Sequence, residues 1–248
     1  MNKILFFDID GTLGHRGKII DSNIKALKEL KDKGYLTFIC TGRAPFYAEK
    51  LFGDLVSGII SCNGRFIMYQ GKMLYGKSFS KEELKDIKKR LDDNDFGAMF
   101  VGSNLASSYH LDDKEVEFLV KEYGQEHVGD IDEVYTLDIF YRDDFKKLES
   151  CFKDMLILND HHNGNCDCST IGFDKGDAIK YLLNHFNISK DNAYAFGDGY
   201  NDQAMFREVN HRIAMKNGVD VLKAQATYIS DYFDQDGVLK ALKHERLL

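Results

Sequence analysis

Several things are scarce in this sequence. It contains a single proline, Pro45, in 248 residues, and no repeat, linker or low-complexity tract. No apolar run approaches the ~20 residues needed to span a bilayer. The apolar opening, residues 3–7, is too short for a signal peptide and is stopped by Asp8. This argues against a membrane partner and sets the expectation of a soluble, cytoplasmic protein. Positive charge is scarce too: 33 Lys and Arg stand against 40 Asp and Glu, a net charge of -7 with no basic block. Nucleic-acid affinity comes mostly from basic side chains neutralising phosphates, so the expectation is no nucleic-acid partner. Cysteines number five, an odd count without an export signal, and free thiols are expected.

What is present is patterned. A hydrophobic fraction of 44% is ample for a core, and the length allows one large or two modest domains at ~150 residues each. ILFFD, YLTFICT and GIISCNG read as buried strands, because they are continuously apolar rather than alternating. Between them, SNIKALKELKDKG carries Ile24, Leu27 and Leu30 at helical spacing with Gly34 placed to end it, and PFYAEKLF begins a helix at Pro45. The last third repeats the rhythm: KGDAIKYLLNHF helix, NAYAFGD strand, NDQAMFREV helix, strands at HRIAMKN and ATYISD, and a closing helix at DGVLKALKHERLL. Such alternation predicts an α/β fold with a parallel sheet covered on both faces. Residues 78–172 break it. They mix charged helices (KEELKDIKKRLDD, KEVEFLVKEYG, DFKKLESCF) with short strands, including an Asn163-Gly164 hairpin signal, and read as an α+β insert. The predicted domains are therefore a core of residues 1–77 and 173–248 and an inserted domain of residues 78–172.

The predicted core strands end on polar residues: Asp8, Thr41, the neighbourhood of Asn63, and Asp198. In an open parallel sheet those ends share one edge, where ligands bind. Asp8, Asp10 and Asp198 would then form a cluster of hard oxygen ligands. Carboxylates so placed repel one another, and a divalent cation such as Mg²⁺ removes the conflict while leaving room for a phosphate oxygen. Gly11 permits a tight turn whose N–H groups can hold an anion; Thr41 adds a hydroxyl, and Lys175 a positive charge. Each motif alone has a plain reading as a turn, a solvated lysine or a polar loop. Their order, each acidic motif directly after a buried strand, favours the functional one.

Taken together, these motifs resemble the haloacid dehalogenase (HAD) superfamily of phosphohydrolases. DIDGTL is similar to its first motif, CTGR to its second, KGDAI to its third and GDGYND to its fourth. Cys-Asn-Gly at 62–64 and the ending IAMKNGVDVLKAQATYISDYFDQDGVLKAL resemble the Cof-type subgroup, which carries a type IIB α/β cap between the second and third motifs. The resemblance implies a Rossmann-like core, a cap that reads the substrate, and Mg²⁺-dependent hydrolysis of a small phosphorylated metabolite, a sugar phosphate among the candidates. It implies Asp8 as nucleophile forming an aspartyl-phosphate, Asp10 as general acid/base, and Ile9, Thr41, Gly42, Lys175 and Asn201 around the phosphate. Asp8, Asp10 and Asp198 would be metal ligands, with Asp202 in support. Two rivals are a phosphomannomutase-like phosphoryl transfer and a weakly active regulatory or binding protein.

One other segment invites a ligand. HHNGNCDC offers His161, His162, Cys166 and Cys168 to a zinc ion. Its spacing lacks the usual Cys-x₂₋₄-Cys of structural zinc sites, and a hairpin with both cysteines on one strand face is the better reading. Tyr109 and His110 in the insert suit either a substrate-facing role or a packed aromatic face.

Overall fold

The computed structural model describes residues 3–160 and 162–248. It divides into two compact units. The first takes in residues up to 43, Ala48–Tyr75 and Phe173–Leu248; the second takes in Ala44–Tyr47 and Gly76–Gly172.

Up to residue 76 the chain runs through β1 (Ile4–Phe7), a small hairpin of β2 (Gly14–His15) and β3 (Lys18–Ile19), α1 (Asp21–Asp32), β4 (Leu36–Cys40), α2 (Pro45–Phe52), β5 (Gly58–Ser61), β6 (Phe66–Tyr69) and β7 (Lys72–Gly76), all in the first unit except the start of α2 and the last residue of β7. The second unit holds α3 (Lys81–Asn94), β8 (Gly97–Val101), β9 (Ala106–Tyr109), α4 (Asp113–Tyr123), β10 (Thr136–Phe140), α5 (Phe145–Phe152), β11 (Leu156–Asp160) and β12 (Asn165–Thr170). The chain then returns to the first unit with α6 (Lys175–Phe186), β13 (Ala193–Gly197), α7 (Gln203–Glu208), β14 (His211–Ala214), α8 (Asp220–Lys223), β15 (Tyr228–Ile229) and α9 (Gly237–His244).

The first unit is built on an eight-stranded sheet of order β15-β14-β13-β1-β4-β5-β6-β7. From β15 to β5 every pairing is parallel. All four β1 residues are fully buried, as a central strand covered on both faces requires. On one face Ile4, Phe6, Phe38 and Ile60 pack with Ile179 and Leu182 of α6 and Met205 and Phe206 of α7. Each such side chain stabilises the fold by ~1.5–3 kcal/mol.

One departure from the all-parallel expectation lies at the sheet edge, where β6 pairs antiparallel with β5. Strands β6 and β7 are joined by Gln70 and Gly71, both at positive φ (50° and 72°), the backbone of a two-residue hairpin. RFIMYQGKMLYG carries no Asn-Gly or Asp-Gly, and its hairpin shows in the sequence only through that one glycine.

The second unit is a separate antiparallel sheet, β11-β12-β10-β8-β9. Ile87 and Leu91 of α3 and Leu148 and Phe152 of α5 cover one face of it. Capping boxes start α3 (Ser80 with Glu83) and α4 (Asp112 with Glu115), satisfying two otherwise unpaired N–H groups at each helix start.

Candidate active site at the carboxyl end of the core sheet

Strands β13, β1, β4 and β5 are neighbours and parallel. Their carboxyl ends therefore lie side by side. The residues that follow at once are Asp198, Asp8, Thr41 and the turn Cys62–Gly64.

The loop after β1 is wound tightly on itself. The Ile9 carbonyl accepts from the amides of Thr12, Leu13 and Gly14 at 3.0–3.2 Å. Gly11 sits at φ 85°, and a Cβ there would fall 2.2 Å from Asp198 Oδ2. Only glycine lets this loop lie against Asp198. Thr12 Oγ1 donates to Asp198 Oδ1 at 3.0 Å. Asn217 Nδ2 reaches both the Gly11 carbonyl (2.8 Å) and Asp198 Oδ2 (3.3 Å). The loop, Asp198 and the segment after β14 are thus tied into one body.

Lys175 is the first residue of α6, behind Asp174, whose carboxylate caps the Gly176 and Asp177 amides. It is 1% exposed and donates to Asp8 Oδ1 and Asp202 Oδ1, at 2.7 Å each. Burial alone would lower the pKa of this amine, but the Asp202 and Asp8 carboxylates outweigh it and hold the pKa above the ordinary value. A cation at a helix N-terminus opposes the helix dipole, so the two carboxylates are what make this placement stable.

Asp202 spends its other oxygen, Oδ2, on the amides of Asp198 and Gly199, at 2.9 Å each. Asp8 keeps Oδ2 without a hydrogen-bond partner among the described residues. Burial, and next the Asp202 charge, push the Asp8 carboxyl well above its usual range. The same two causes lift Asp198 to about 7, against the Thr12 hydrogen bond and with a further push from Asp10. One oxygen from each of Asp8, Asp198 and Asp202 lies within 4.8 Å of the others. Hard oxygen donors crowded this closely fit a divalent cation, which relieves their mutual repulsion.

The structure brings Asp8, Asp198, Asp202 and Lys175 together as the sequence motifs anticipate. It places Asp10 differently. Its carboxylate accepts from Arg43 Nε at 3.0 Å and from the Arg16 amide at 3.2 Å, while Asp202 completes the group of three oxygens. Thr41 is buried, and its Oγ1 accepts from the Arg43 amide at 3.1 Å. The N–H groups of Ile9 and Gly42 have no protein acceptor among the described residues. Asn201 Nδ2 lies 3.4 Å from Asn63 Oδ1. Thr12, Arg43 and Asn217 escaped the sequence reading as site residues. The signal was available in the first two, since Thr12 and Arg43 stand inside the motifs DGT and TGR. Asn217 stands in the IAMKNG stretch that carries the resemblance, but nothing local marks its partners, which are 206 and 19 residues away.

From residue 162 on, the HHNGNCDC segment forms the turn and strand predicted. Cys166 and Cys168 lie buried in the hydrophobic cluster of the second unit, and alternate with half-buried Asn165 and Asp167 along β12. His162 is exposed and pairs with Asp160, and His161 lies outside the described residues. All five cysteines are free.

A buried lysine thus bridges two aspartates at the carboxyl edge of a parallel sheet, with a third aspartate close to both. Residues 5–242 match the family of haloacid dehalogenase-like hydrolases. The chain belongs to that family and is a HAD-type phosphatase. It is 28% identical to YkrA of Bacillus subtilis, an alignment covering 100% of this chain and 99% of that protein. It is also 28% identical to the 5-amino-6-(5-phospho-D-ribitylamino)uracil phosphatase YwtE of the same bacterium, over 95% of both chains. Among solved structures, the HAD subclass IIB sugar phosphatase BT4131 superposes with a TM-score of 0.82 at 26% identity, over 100% of both chains. No helix among the described residues is long and apolar enough to cross a membrane.

Proposed function

We propose that this protein is a Mg²⁺-dependent phosphomonoester hydrolase acting on a small phosphorylated metabolite through an aspartyl-phosphate on Asp8. The observation that carries the reading is the state of the Asp8 carboxylate: Lys175 holds Oδ1, and Oδ2 has no hydrogen-bond partner among the described residues. In this reading Oδ2 attacks phosphorus and the ester oxygen leaves. Asp10, oriented through both oxygens by Arg43 and the Arg16 amide, gives that oxygen a proton. It then takes one from the water that cleaves the acyl-phosphate, a contribution of typically ~10²–10⁴-fold. Lys175, Thr41, Asn201 and the N–H groups of Ile9 and Gly42 stabilise the phosphoryl oxygens. Asp8 and Asp198 would hold the metal, with Asp202 fixed behind them. When bound, Mg²⁺ supplies positive charge that screens Asp8 from the phosphate dianion. The insert is proposed as the domain that selects the leaving group. The names of YwtE and BT4131 support a phosphorylated polyol or sugar compound as the substrate type.

The test is inorganic phosphate release by wild type and Asp8→Asn, with and without Mg²⁺. Asp8→Asn is nearly isosteric but a poor nucleophile, and turnover should fall at least ~10³-fold with the fold retained. Near wild-type release from the purified variant, or full activity in excess EDTA after verified metal removal, would refute the mechanism. A sugar isomer formed without free phosphate would instead mark a mutase.

A further inference from the structure

The loop between Asp10 and α1 ends in a small hairpin whose tip is basic: His15, Arg16, Gly17 and Lys18. His15, Arg16 and Lys18 are exposed. Arg16 stands in the left-handed region (φ 49°), followed by Gly17 at φ 75°. That turn delivers the Arg16 amide to Asp10 Oδ1 at 3.2 Å. The residue that presents one cationic side chain to solvent is therefore hydrogen-bonded, through its main chain, to the carboxylate assigned above to the leaving oxygen. Arg43 approaches the other oxygen of Asp10. Neither the Arg16 guanidinium nor the Lys18 ammonium forms an ion pair with a carboxylate among the described residues. In a chain with 40 acidic residues and a net charge of -7, this turn sets two exposed cationic residues, Arg16 and Lys18, shortly after the acid/base and ties the first of them to it through the main chain.

We infer that the natural substrate bears a second anionic group on its leaving side, a carboxylate or a second phosphate, and that Arg16 and Lys18 recognise it. The inference rests on the proposed function and deepens it. The leaving oxygen must meet Asp10, and the hairpin turn is hydrogen-bonded to that same carboxylate, so a substituent that extends past Asp10 Oδ1 meets the hairpin tip. Guanidinium matches the planar geometry of carboxylate and phosphate oxygens, and ammonium serves as a point charge. Lys175 and the main-chain donors serve the transferred phosphoryl group and cannot discriminate among leaving groups. The hairpin tip can.

The experiment compares matched ester pairs on the full-length protein with Mg²⁺. 2-Phosphoglycolate is set against ethyl phosphate for the carboxylate, and fructose 1,6-bisphosphate against fructose 1-phosphate for the second phosphate. In at least one pair, wild-type kcat/KM should favour the anionic member by about tenfold or more, the worth of one charge-assisted hydrogen bond. The pair that shows it identifies the group. Arg16→Gln and Lys18→Gln should each lower that ratio, chiefly through KM. Arg16→Lys should restore part of it, and the ratio should fall with added salt, since the tip is exposed. A ratio near one in both pairs for wild type overturns the inference, as does a ratio that neither glutamine variant moves. Asp8→Asn separates the two levels. If phosphate release depends on Asp8 but the ratios stay flat, only the hairpin assignment falls. If release is absent or independent of Asp8, both readings fall.

Discussion

Lys175 is a single side chain with three duties: it neutralises Asp8, anchors Asp202 and starts a helix. Removing it leaves two buried carboxylates without their cation, a change that typically costs ~3–5 kcal/mol. Lys175→Met, chosen to keep the aliphatic volume, should lower unfolding free energy by about that amount at pH 7.5. The loss should shrink at pH 5.5. Burial and the Asp202 charge already raise the Asp8 pKa in the wild type, and without the lysine that carboxyl takes up a proton more readily still. Denaturant unfolding at the two pH values checks it, and an equal loss at both would show that the charges are not what Lys175 stabilises. Asp198 makes a related prediction about metal. Its folded pKa of about 7 lies above its unfolded value, so stability it lends at low pH is lost as pH rises from the ordinary carboxylate range through 7. A bound divalent cation prefers the ionised form and reverses that loss. The Tm increase on adding Mg²⁺ to the EDTA-treated protein should therefore be larger at pH 8 than at pH 6.

At the scale of elements, the loop after β1 is the demanding part. Its main chain is pressed against Asp198 so closely that a methyl group at Gly11 would overlap the carboxylate at 2.2 Å. Gly11→Ala must move the loop or Asp198, in addition to straining φ at 85°. It should destabilise the protein by ~1–3 kcal/mol and weaken Mg²⁺ binding measured by calorimetry. Unchanged affinity with reduced stability would mean the strain is absorbed away from the metal oxygens. A second device at this scale is the edge hairpin of β6 and β7. It extends the parallel core sheet antiparallel to it, and the α+β insert begins directly after it.

At the scale of the whole molecule, the division of labour between the core and the insert is open to a direct test. Every residue assigned to chemistry lies in the first unit. If the insert selects the leaving group, replacing its exposed polar residues should alter kcat/KM for the natural substrate several-fold. p-Nitrophenyl phosphate, whose leaving group is small and activated, should respond little. His110, exposed and 3.1 Å from Asp92, is one position for such a scan. Lys175→Ala should instead impair both esters together. Should every position in the insert lower both activities in equal proportion, its role would be stability rather than selection.

The sequence by itself determined the class of fold, and it pointed to an insert and to the strand-end residues proposed for the site. Those features are local: buried strands announce themselves by continuous apolar runs, and Asp8, Thr41 and Asp198 follow such runs directly. It also exposed the Asn163-Gly164 turn, because turn chemistry acts over a few residues. Tertiary structure alone decided which oxygens converge. Asp10 and Asp202 are both acidic and both next to the right strands, yet the backbone turn at Gly11 carries Asp10 toward Arg43 and Arg16. Two amides at the start of the turn after β13 hold Asp202 against Lys175 instead. Side-chain direction at a loop depends on where the chain is pinned from outside. Here the pins are Thr12 and Asn217 on Asp198 and Lys175 on Asp8, at separations of 186, 19 and 167 residues, and no local pattern encodes contacts at such separations.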